Sequence, residues 1–201
     1  MASSGVSLRV PGKYQPISES STVSPPALDW LHQKWTVTHS TLKRWRTAQN
    51  LSITYGGLRG TDGGSARISD VVAYQAKGKG PSKVKTISGV DTVADNTLIW
   101  DWRGAGVLKL ISCRWEIIGW GEREQNGKGK ERWVVTWFAP TLFTEEGVDI
   151  YCDNEEGMSE ELSGLIRDGL EALEAKELAK LVRENLKEVH INTEDLPQGE
   201  K

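Results

Sequence analysis

The chain has 201 residues, a mass of 22.3 kDa, a net charge of -3 and a pI of about 5.7. This length fits one domain with its own core, and the acidic balance gives no general attraction for nucleic acid, so no nucleic-acid partner is predicted. No apolar run approaches the roughly 18 residues that span a bilayer, and the N-terminus lacks the apolar segment of a secretory signal. We therefore predict a cytoplasmic protein without a membrane span.

The predicted organisation has four parts. Residues 1–26 are rich in Ser, Pro and Gly without sustained periodicity, which indicates a flexible leader. A β-barrel is expected over 27–155, a helical segment over 156–190 and a flexible tail over 191–201.

Within 27–155, short runs of β-branched and aromatic residues alternate with turns rich in Gly, Asn and Lys, which is typical of an antiparallel sheet. The predicted strands are 34–40, 50–56, 66–75, 82–90, 97–103, 112–122, 131–138 and 147–152. Eight strands close an up-and-down barrel around a filled interior or one small ligand. Asn126-Gly127 supplies the positive backbone angles of a tight hairpin turn between the sixth and seventh strands.

After residue 158 the apolar period changes from two to 3.6. Ser159 is a suitable helix N-cap, and the apolar stripe of the first helix consists of Leu162, Leu165, Ile166, Leu170 and Leu173. The stripe slips near Ala175 and resumes at Leu178, which predicts two helices or one bent helix. Packing on the barrel wall is the expected role of this face, and binding of a partner helix or a membrane surface is the alternative.

Alternation along the strands separates the tryptophans from their charged neighbours. Leu98, Trp100 and Trp102 share one face of strand 97–103, opposite Asp101 and Arg103. Strand 131–138 is apolar on both faces, with Trp133 and Trp137 on one of them, so both faces are expected to be covered.

Strand 112–122 has a mixed face that carries Arg114, Glu116 and Trp120. If this face lines a cavity, Arg114 and Glu116 are the polar groups that orient a ligand among aromatic walls. If it lies outside, the two charges are cross-strand partners of Arg132 or Glu131. The sequence leaves both interpretations open.

Trp35, Val37 and His39 share a face of the first strand, followed by Tyr55 in the second. His39 is either a pocket acid or base, because its ordinary pKa is near neutrality, or a hydrogen-bonding wall residue. The spacing of the histidines and cysteines matches no metal site. The glycine-rich loop 56–66 lacks the ending of a P-loop, so neither a metal nor a cofactor is predicted.

Three segments, KWTVTHSTLKRW, NLSITYGG and RWVVTWFAPTLFTEEGVDIY, resemble a family of small fungal proteins with a lipocalin-like barrel and a helical C-terminus. The wider pattern resembles the calycins, which include lipocalins and fatty-acid-binding proteins. The resemblance covers roughly residues 28–175 and implies a closed barrel, but no established reaction. Trp35 matches the lipocalin Gly-x-Trp signature, whereas Gln33 replaces its glycine. Fatty-acid-binding barrels hold a carboxylate with Arg and Tyr groups, which are roles that Arg114 and Tyr151 could take here.

Three functions are consistent with these patterns. The first is binding of a hydrophobic or aromatic small molecule; the predicted ligand-binding residues are Trp35, His39, Tyr55, Trp100, Trp102, Arg114, Glu116, Trp120, Trp137 and Tyr151. The second is a cofactor-free isomerase, cyclase or hydratase acting on a polyketide- or terpenoid-like secondary metabolite, with His39 or Glu116 as base and Arg114 stabilising an oxyanion. The third is a protein-interaction module with a filled barrel. A homodimer is left open.

Overall fold

The computed structural model describes residues 5–15, 23–58, 65–78, 82–95, 98–125 and 129–195. A four-residue helix, α1 (Leu28–Leu31), precedes the first strand. The barrel strands are β1 (Lys34–Ser40), β2 (Ala48–Gly57), β3 (Arg67–Ala76), β4 (Lys85–Asp95), β5 (Ile99–Gly104), β6 (Ser112–Gln125), β7 (Gly129–Phe138) and β8 (Gly147–Cys152). The eight strands correspond one to one to those predicted.

The sheet is antiparallel throughout and closes through β1. One part of β1, Thr36–Ser40, pairs with β8, and the part that begins at Lys34 pairs with β2. Each remaining strand pairs with its neighbour in sequence. The structure thus confirms the predicted closed up-and-down barrel. β6 and β7 pair as far as Gln125 and Gly129, whereas the predicted Asn126-Gly127 turn lies outside the described residues.

Two helices, α2 (Glu160–Glu171) and α3 (Lys176–Asn185), follow the barrel. As predicted, Ser159 caps α2 by accepting a hydrogen bond from the backbone N–H of Leu162. A short strand, β9 (Lys187–Glu188), then pairs with the end of β1. No helix within the described ranges has both the length and the apolar character required to cross a lipid bilayer.

The barrel wall separates two hydrophobic clusters. The inner cluster contains Trp35, Trp100, Trp115, Ile117 and Val134 among its buried members. The outer cluster joins β6, β7 and β8 to the helices; its members include Trp133, Trp137, Ile150, Leu162, Ile166 and Val182. Both faces of β7 are covered, as its apolar pattern predicts, because each face contacts one of these clusters.

Part of the segment predicted to be a flexible leader packs on the outside of β6. Leu8 forms an antiparallel bridge with Gly119, and Val10 is buried in the outer cluster. A Cβ atom at position 119 would lie 2.3 Å from a Leu8 side-chain carbon, so glycine allows this close approach. Residues 5–15 therefore pack against the barrel, unlike the expected flexible leader, because their few apolar side chains contact the outer cluster.

Two β-bulges change the faces on which predicted site residues lie. The register of β1 shifts between Val37 and His39, which pairs His39 with Ile150 of the outer cluster. The register of β6 shifts between Ile117 and Gly119, which pairs Trp120 with the inward Val134. Since a bulge adds one residue to a strand, every later side chain changes face. The predictions that His39 shares the face of Trp35 and that Trp120 shares the face of Arg114 are therefore wrong.

Candidate ligand-binding cavity

A cavity of about 630 Å³ occupies the end of the barrel at which β1 ends. Its walls are mainly aliphatic and aromatic and include Leu51, Ile53, Val72, Ile87, Trp102 and Phe138. Val107 and Phe143 also line it, and their exposed fractions of 98% and 74% show that the cavity opens to solvent there. The volume and the apolar walls are typical of a small-molecule site.

A stack of three aromatic rings closes the inner end of this cavity. Trp115 lies nearly parallel to Tyr55 on one side and to Trp100 on the other, with ring centroids 5.6 Å and 5.7 Å apart. Tyr55 and Trp115 line the cavity, while Trp100 is fully buried behind them. Such stacking adds to the free energy gained by burying the rings. It makes this part of the interior a packed core.

A second aromatic group fills the other end of the barrel. The Trp35 indole N–H donates to the carbonyl of Leu31 at 2.9 Å, and the ring of Trp30 lies 5.1 Å from Trp35 and 4.9 Å from Trp120. These residues lie where β1 begins, so α1 and its tryptophan close the barrel opposite the cavity mouth.

The position of one aromatic wall residue, Trp102, depends on a neighbouring glycine. A Cβ atom added to Gly89 of β4 would lie 2.1 Å from the Trp102 indole nitrogen. The glycine therefore lets the Trp102 ring lie directly against the neighbouring strand. Because Trp102 lines the cavity, this packing sets part of the available width.

Two aspartates face the interior among these apolar walls. Asp70 and Asp149 both line the cavity and are about 7% exposed. Burial, together with the nearby charge of Asp91, raises the pKa of Asp70 well above its ordinary value. Burial also raises the pKa of Asp149 to about 7, although Ser40, which donates its hydroxyl to this carboxyl group, acts in the opposite direction. Both carboxyl groups are thus held in surroundings that disfavour their charged forms.

A third carboxyl group lies at the edge of the aromatic stack. Asp91 is 0% exposed, and its Oδ1 accepts the indole N–H of Trp115 at 2.7 Å. Burial raises the pKa of Asp91 to about 7, and the hydrogen bond from Trp115 lowers it. Asp91 therefore helps to fix the orientation of the Trp115 ring, and its charged form acts on Asp70.

Two tyrosine hydroxyls lie beside these acids. The hydroxyl of Tyr151 is 2.7 Å from Oγ1 of Thr136 and also interacts with the hydroxyl of Tyr55. Burial raises the pKa of both tyrosines well above the ordinary value, so both remain protonated near neutrality. Tyr55 is directly opposite Asp70 in the β2–β3 register. The polar part of the cavity is therefore a group of carboxyl and hydroxyl side chains.

The described lining of the cavity contains one basic residue, Arg44. It is exposed, and its guanidinium carbon lies 4.3 Å from the centroid of the Trp45 ring. Cys113 also lines the cavity, but burial raises the pKa of its thiol to about 11, so it is not a ready thiolate nucleophile. Within the described residues, no group of three His, Cys, Asp or Glu side chains is arranged to hold a metal ion.

The residues predicted to bind a ligand separate into three groups. Tyr55, Trp102 and Tyr151 line the cavity. Trp35, Trp100 and Trp120 lie inside the barrel but pack in its core. The residues on the outer side of the wall are His39, Arg114, Glu116 and Trp137.

The prediction that Arg114 and Glu116 line the internal cavity is corrected by their contacts. Arg114 is exposed on the outer face and forms a bidentate pair with Asp101, at 2.9 and 3.0 Å. Glu116 is buried beneath the N-terminal segment, where Arg9 lies 2.8 Å from one carboxyl oxygen and the backbone N–H of Gly12 donates to both. The outer-face interpretation was therefore right, although the partners are not Arg132 or Glu131.

His39 and Trp137 also contact the outer layer. Burial, with a contribution from the positive charge of Arg167 on α2, lowers the pKa of His39. Trp137 is buried in the outer cluster that packs on the helices. Neither side chain reaches the interior because β1 carries the bulge and β7 directs its odd-numbered residues outward.

The sequence interpretation missed the three interior aspartates. Asp70 shares a strand face with Ile68 and Val72, and Asp149 shares one with Tyr151. An acid at an inward position of an alternating apolar strand was the available signal, because an unpaired buried carboxylate is costly. No protein-family model matches the chain, and comparison with curated proteins also finds no match. The chemistry of the cavity therefore follows from its own residues.

Proposed function

We propose that the barrel binds a hydrophobic small molecule in its interior and that the protein is related to the calycins. The observation that carries the proposal is the open cavity of about 630 Å³, with apolar walls and a few polar groups at its inner part. This combination favours a ligand with an apolar body and one polar end. It argues against an interaction module with a filled barrel, because the interior retains a space of ligand size.

The first test is a titration with 1-pyrenemethanol, a neutral aromatic alcohol, followed by quenching of tryptophan emission. Trp102 and Trp115 line the cavity, so a bound pyrene should quench them strongly and in a saturable way. Absence of saturable quenching in the folded wild-type protein would contradict binding of this ligand class.

The matched variants are Val72→Phe and Val71→Phe, neighbours that lie on opposite faces of β3. Val72 lines the cavity, whereas Val71 does not. The larger ring at position 72 should occupy ligand space and weaken binding at least about tenfold, or about 1.4 kcal/mol. Equal weakening by both variants, with both folded by circular dichroism, would contradict an interior site.

A second candidate function is cofactor-free proton transfer, and the observation that favours it is a carboxyl group with a pKa of about 7 beside protonated tyrosines. In such a reaction Asp149 would remove a proton from the carbon next to a carbonyl group and return it to the γ carbon, while Tyr151 would donate a hydrogen bond to the oxyanion of the dienolate formed in between. The test is conversion of a β,γ-unsaturated ketone to its conjugated isomer, followed by absorbance. Activity that disappears in Asp149→Asn while 1-pyrenemethanol still binds would support this candidate. Binding of the ketone without conversion would oppose it.

A further inference from the structure

The polar part of the cavity is acidic, and the fold leaves part of it without a partner. Asp70 lines the cavity and is 7% exposed, yet no hydrogen-bond partner contacts its buried Oδ1 among the described residues. Oδ2 of Asp91, which lies behind the cavity wall, also has no hydrogen-bond partner among the described residues. A buried acceptor without a donor carries a free-energy cost, which is larger when the group is charged. A ligand that supplies a donor to Asp70 would remove that cost.

Within the described lining of the cavity, no buried cation offsets this group of acids. Arg44, the one basic residue in the described lining, is exposed and lies against the Trp45 ring. Asp149 receives a hydroxyl donor from Ser40, and the charge of Asp91 acts on Asp70. An anionic ligand would therefore add a like charge to a site that has no inner cation. A fatty acid would not find the Arg–carboxylate pairing that the fatty-acid-binding resemblance implies.

We propose that the cavity binds hydrophobic amines, with a protonated amino group in the acidic part of the cavity that Asp70 and Asp149 line and the apolar body directed towards the mouth. This inference rests on the proposed ligand-binding function and names the class of ligand. An ammonium group has N–H donors and no acceptor, which matches carboxyl and hydroxyl acceptors. A bound ammonium group favours the ionised form of a neighbouring carboxyl group, and charge-assisted hydrogen bonds to carboxylates are roughly twice as strong as neutral ones. The apolar walls remove water from this contact and strengthen it further.

The test compares three ligands that share one aromatic body and differ in their polar end: 1-aminomethylpyrene, 1-pyrenemethanol and 1-pyrenecarboxylic acid. At pH 7.5 their ends are cationic, neutral and anionic. We expect the amine to bind at least about tenfold more tightly than the alcohol, since that ratio corresponds to about 1.4 kcal/mol. We expect the carboxylate to bind more weakly than the alcohol.

The matched variants are Asp70→Asn, Asp149→Asn and Asp101→Asn, each of which replaces one carboxyl group with an amide. Asp101 is exposed on the outer face, where it pairs with Arg114. Substitution of either interior aspartate should reduce the ratio of amine to alcohol affinity by about fivefold or more, the effect of losing one charged contact. Asp101→Asn should leave the ratio unchanged, which excludes attraction of the amine by net charge alone.

The outcomes separate this inference from the function on which it rests. If the alcohol binds in the cavity as tightly as the amine, hydrophobic ligand binding stands and the amine preference is overturned. If none of the three ligands binds the folded protein, both fall. If Asp70→Asn does not fold, the wild-type ligand series and Asp149→Asn still test the amine preference. An unchanged ratio of amine to alcohol affinity in Asp149→Asn would overturn the assignment.

Discussion

Buried carboxyl groups lie on both sides of the barrel wall, and the two sides differ in the hydrogen-bond donors that they provide. On the outside, Glu116 contacts Arg9 and Gly12, and Glu131 accepts hydrogen bonds from the backbone N–H and the hydroxyl of Ser159 at 2.7 and 2.8 Å. Both oxygens of each outer carboxyl group therefore have a protein donor. Each outer group joins an added segment to the barrel: the N-terminal segment for Glu116 and α2 for Glu131.

On the inside, Asp70 and Asp91 each retain one buried oxygen without a hydrogen-bond partner. The outer carboxyl groups, which join two parts of the fold, thus have hydrogen-bond donors for both oxygens. The inner carboxyl groups of Asp70 and Asp91 each keep one acceptor oxygen unpaired. Unpaired buried polar groups reduce stability. Among the described residues, the buried carboxyl oxygens that lack a partner are those of Asp70, which lines the cavity, and Asp91, which lies behind its wall, and carboxyl groups with displaced pKa values in clefts are candidates for a functional role.

The largest expected effect comes from breaking an outer contact. Glu116→Ala should lower the free energy of unfolding by about 3 kcal/mol, because it leaves the side chain of Arg9, 9% exposed, without its charge partner. Urea unfolding measures this change. The control is Glu124→Ala, an exposed position on the same strand, for which a change within about 0.5 kcal/mol is expected. Similar losses in the two variants would contradict the assigned role of Glu116.

Loss of an inner carboxyl group should instead raise the free energy of unfolding, and the size of the increase should depend on pH. The pKa of Asp149 is about 7 in the folded protein and about 3.9 in an unfolded chain. The folded state therefore binds more protons between pH 4 and pH 7, and stability falls as pH rises through this range. Asp149→Asn should remove the contribution of Asp149 to that fall and be more stable than wild type at pH 8 by about 2 kcal/mol, which is less than the full linkage value because water reaches the cavity.

Urea unfolding at pH 5 and pH 8 measures this difference. Asp101→Asn, with its exposed carboxyl group, serves as the control and should retain the wild-type pH dependence. A wild-type protein that becomes more stable between pH 5 and pH 8 would show that the inner carboxyl groups have found donors.

A change in the cavity wall should have a smaller effect on stability but a clear effect on binding. Gly89→Ala places a Cβ atom on the Trp102 ring, so the ring must move towards the cavity. Overpacking of this kind costs about 1–3 kcal/mol, and we expect about 1.5 kcal/mol together with weaker binding of 1-pyrenemethanol. In Gly164→Ala the new methyl group meets no atom within 4 Å, and this helical position should become more stable. Unchanged binding in Gly89→Ala would mean that Trp102 does not limit the cavity.

The barrel and the helices could be predicted because local patterns determine them. Alternation of apolar residues identified all eight strands, and the change to a 3.6-residue period identified α2 and α3. The slip near Ala175 corresponds to the break between these helices, since α2 ends at Glu171 and α3 begins at Lys176. These features depend on neighbours in sequence, which is the information that alternation contains.

The site could be predicted only in part, because two bulges and one covering segment depend on distant contacts. Nothing in the residues around Thr38 or Ile118 marks an extra residue in the strand, yet each bulge reverses the face of later side chains. The burial of Glu116 requires Arg9, which is 107 positions earlier in the chain. Tyr55 and Tyr151 were identified as cavity residues because no bulge separates them from the inward positions of their strands.

The smallest expected effect concerns Arg114, the residue on which the two interpretations of β6 differ. Arg114→Ala removes an exposed pair with Asp101, in which both side chains are about half exposed. Such pairs contribute about 0.2–1 kcal/mol, so the free energy of unfolding should fall by about 0.5 kcal/mol and 1-pyrenemethanol should bind with unchanged affinity.

Cys113→Phe is the matched comparison, because Cys113 is the neighbour of Arg114 on β6 and lines the cavity. A one-residue change of register would exchange the faces of these two residues, so the pair of variants reports which face of β6 points inward. If Cys113→Phe weakens binding of 1-pyrenemethanol and Arg114→Ala does not, the register stands. If the order is reversed, Arg114 faces the ligand, and the site would then contain the inner cation that an acidic ligand requires.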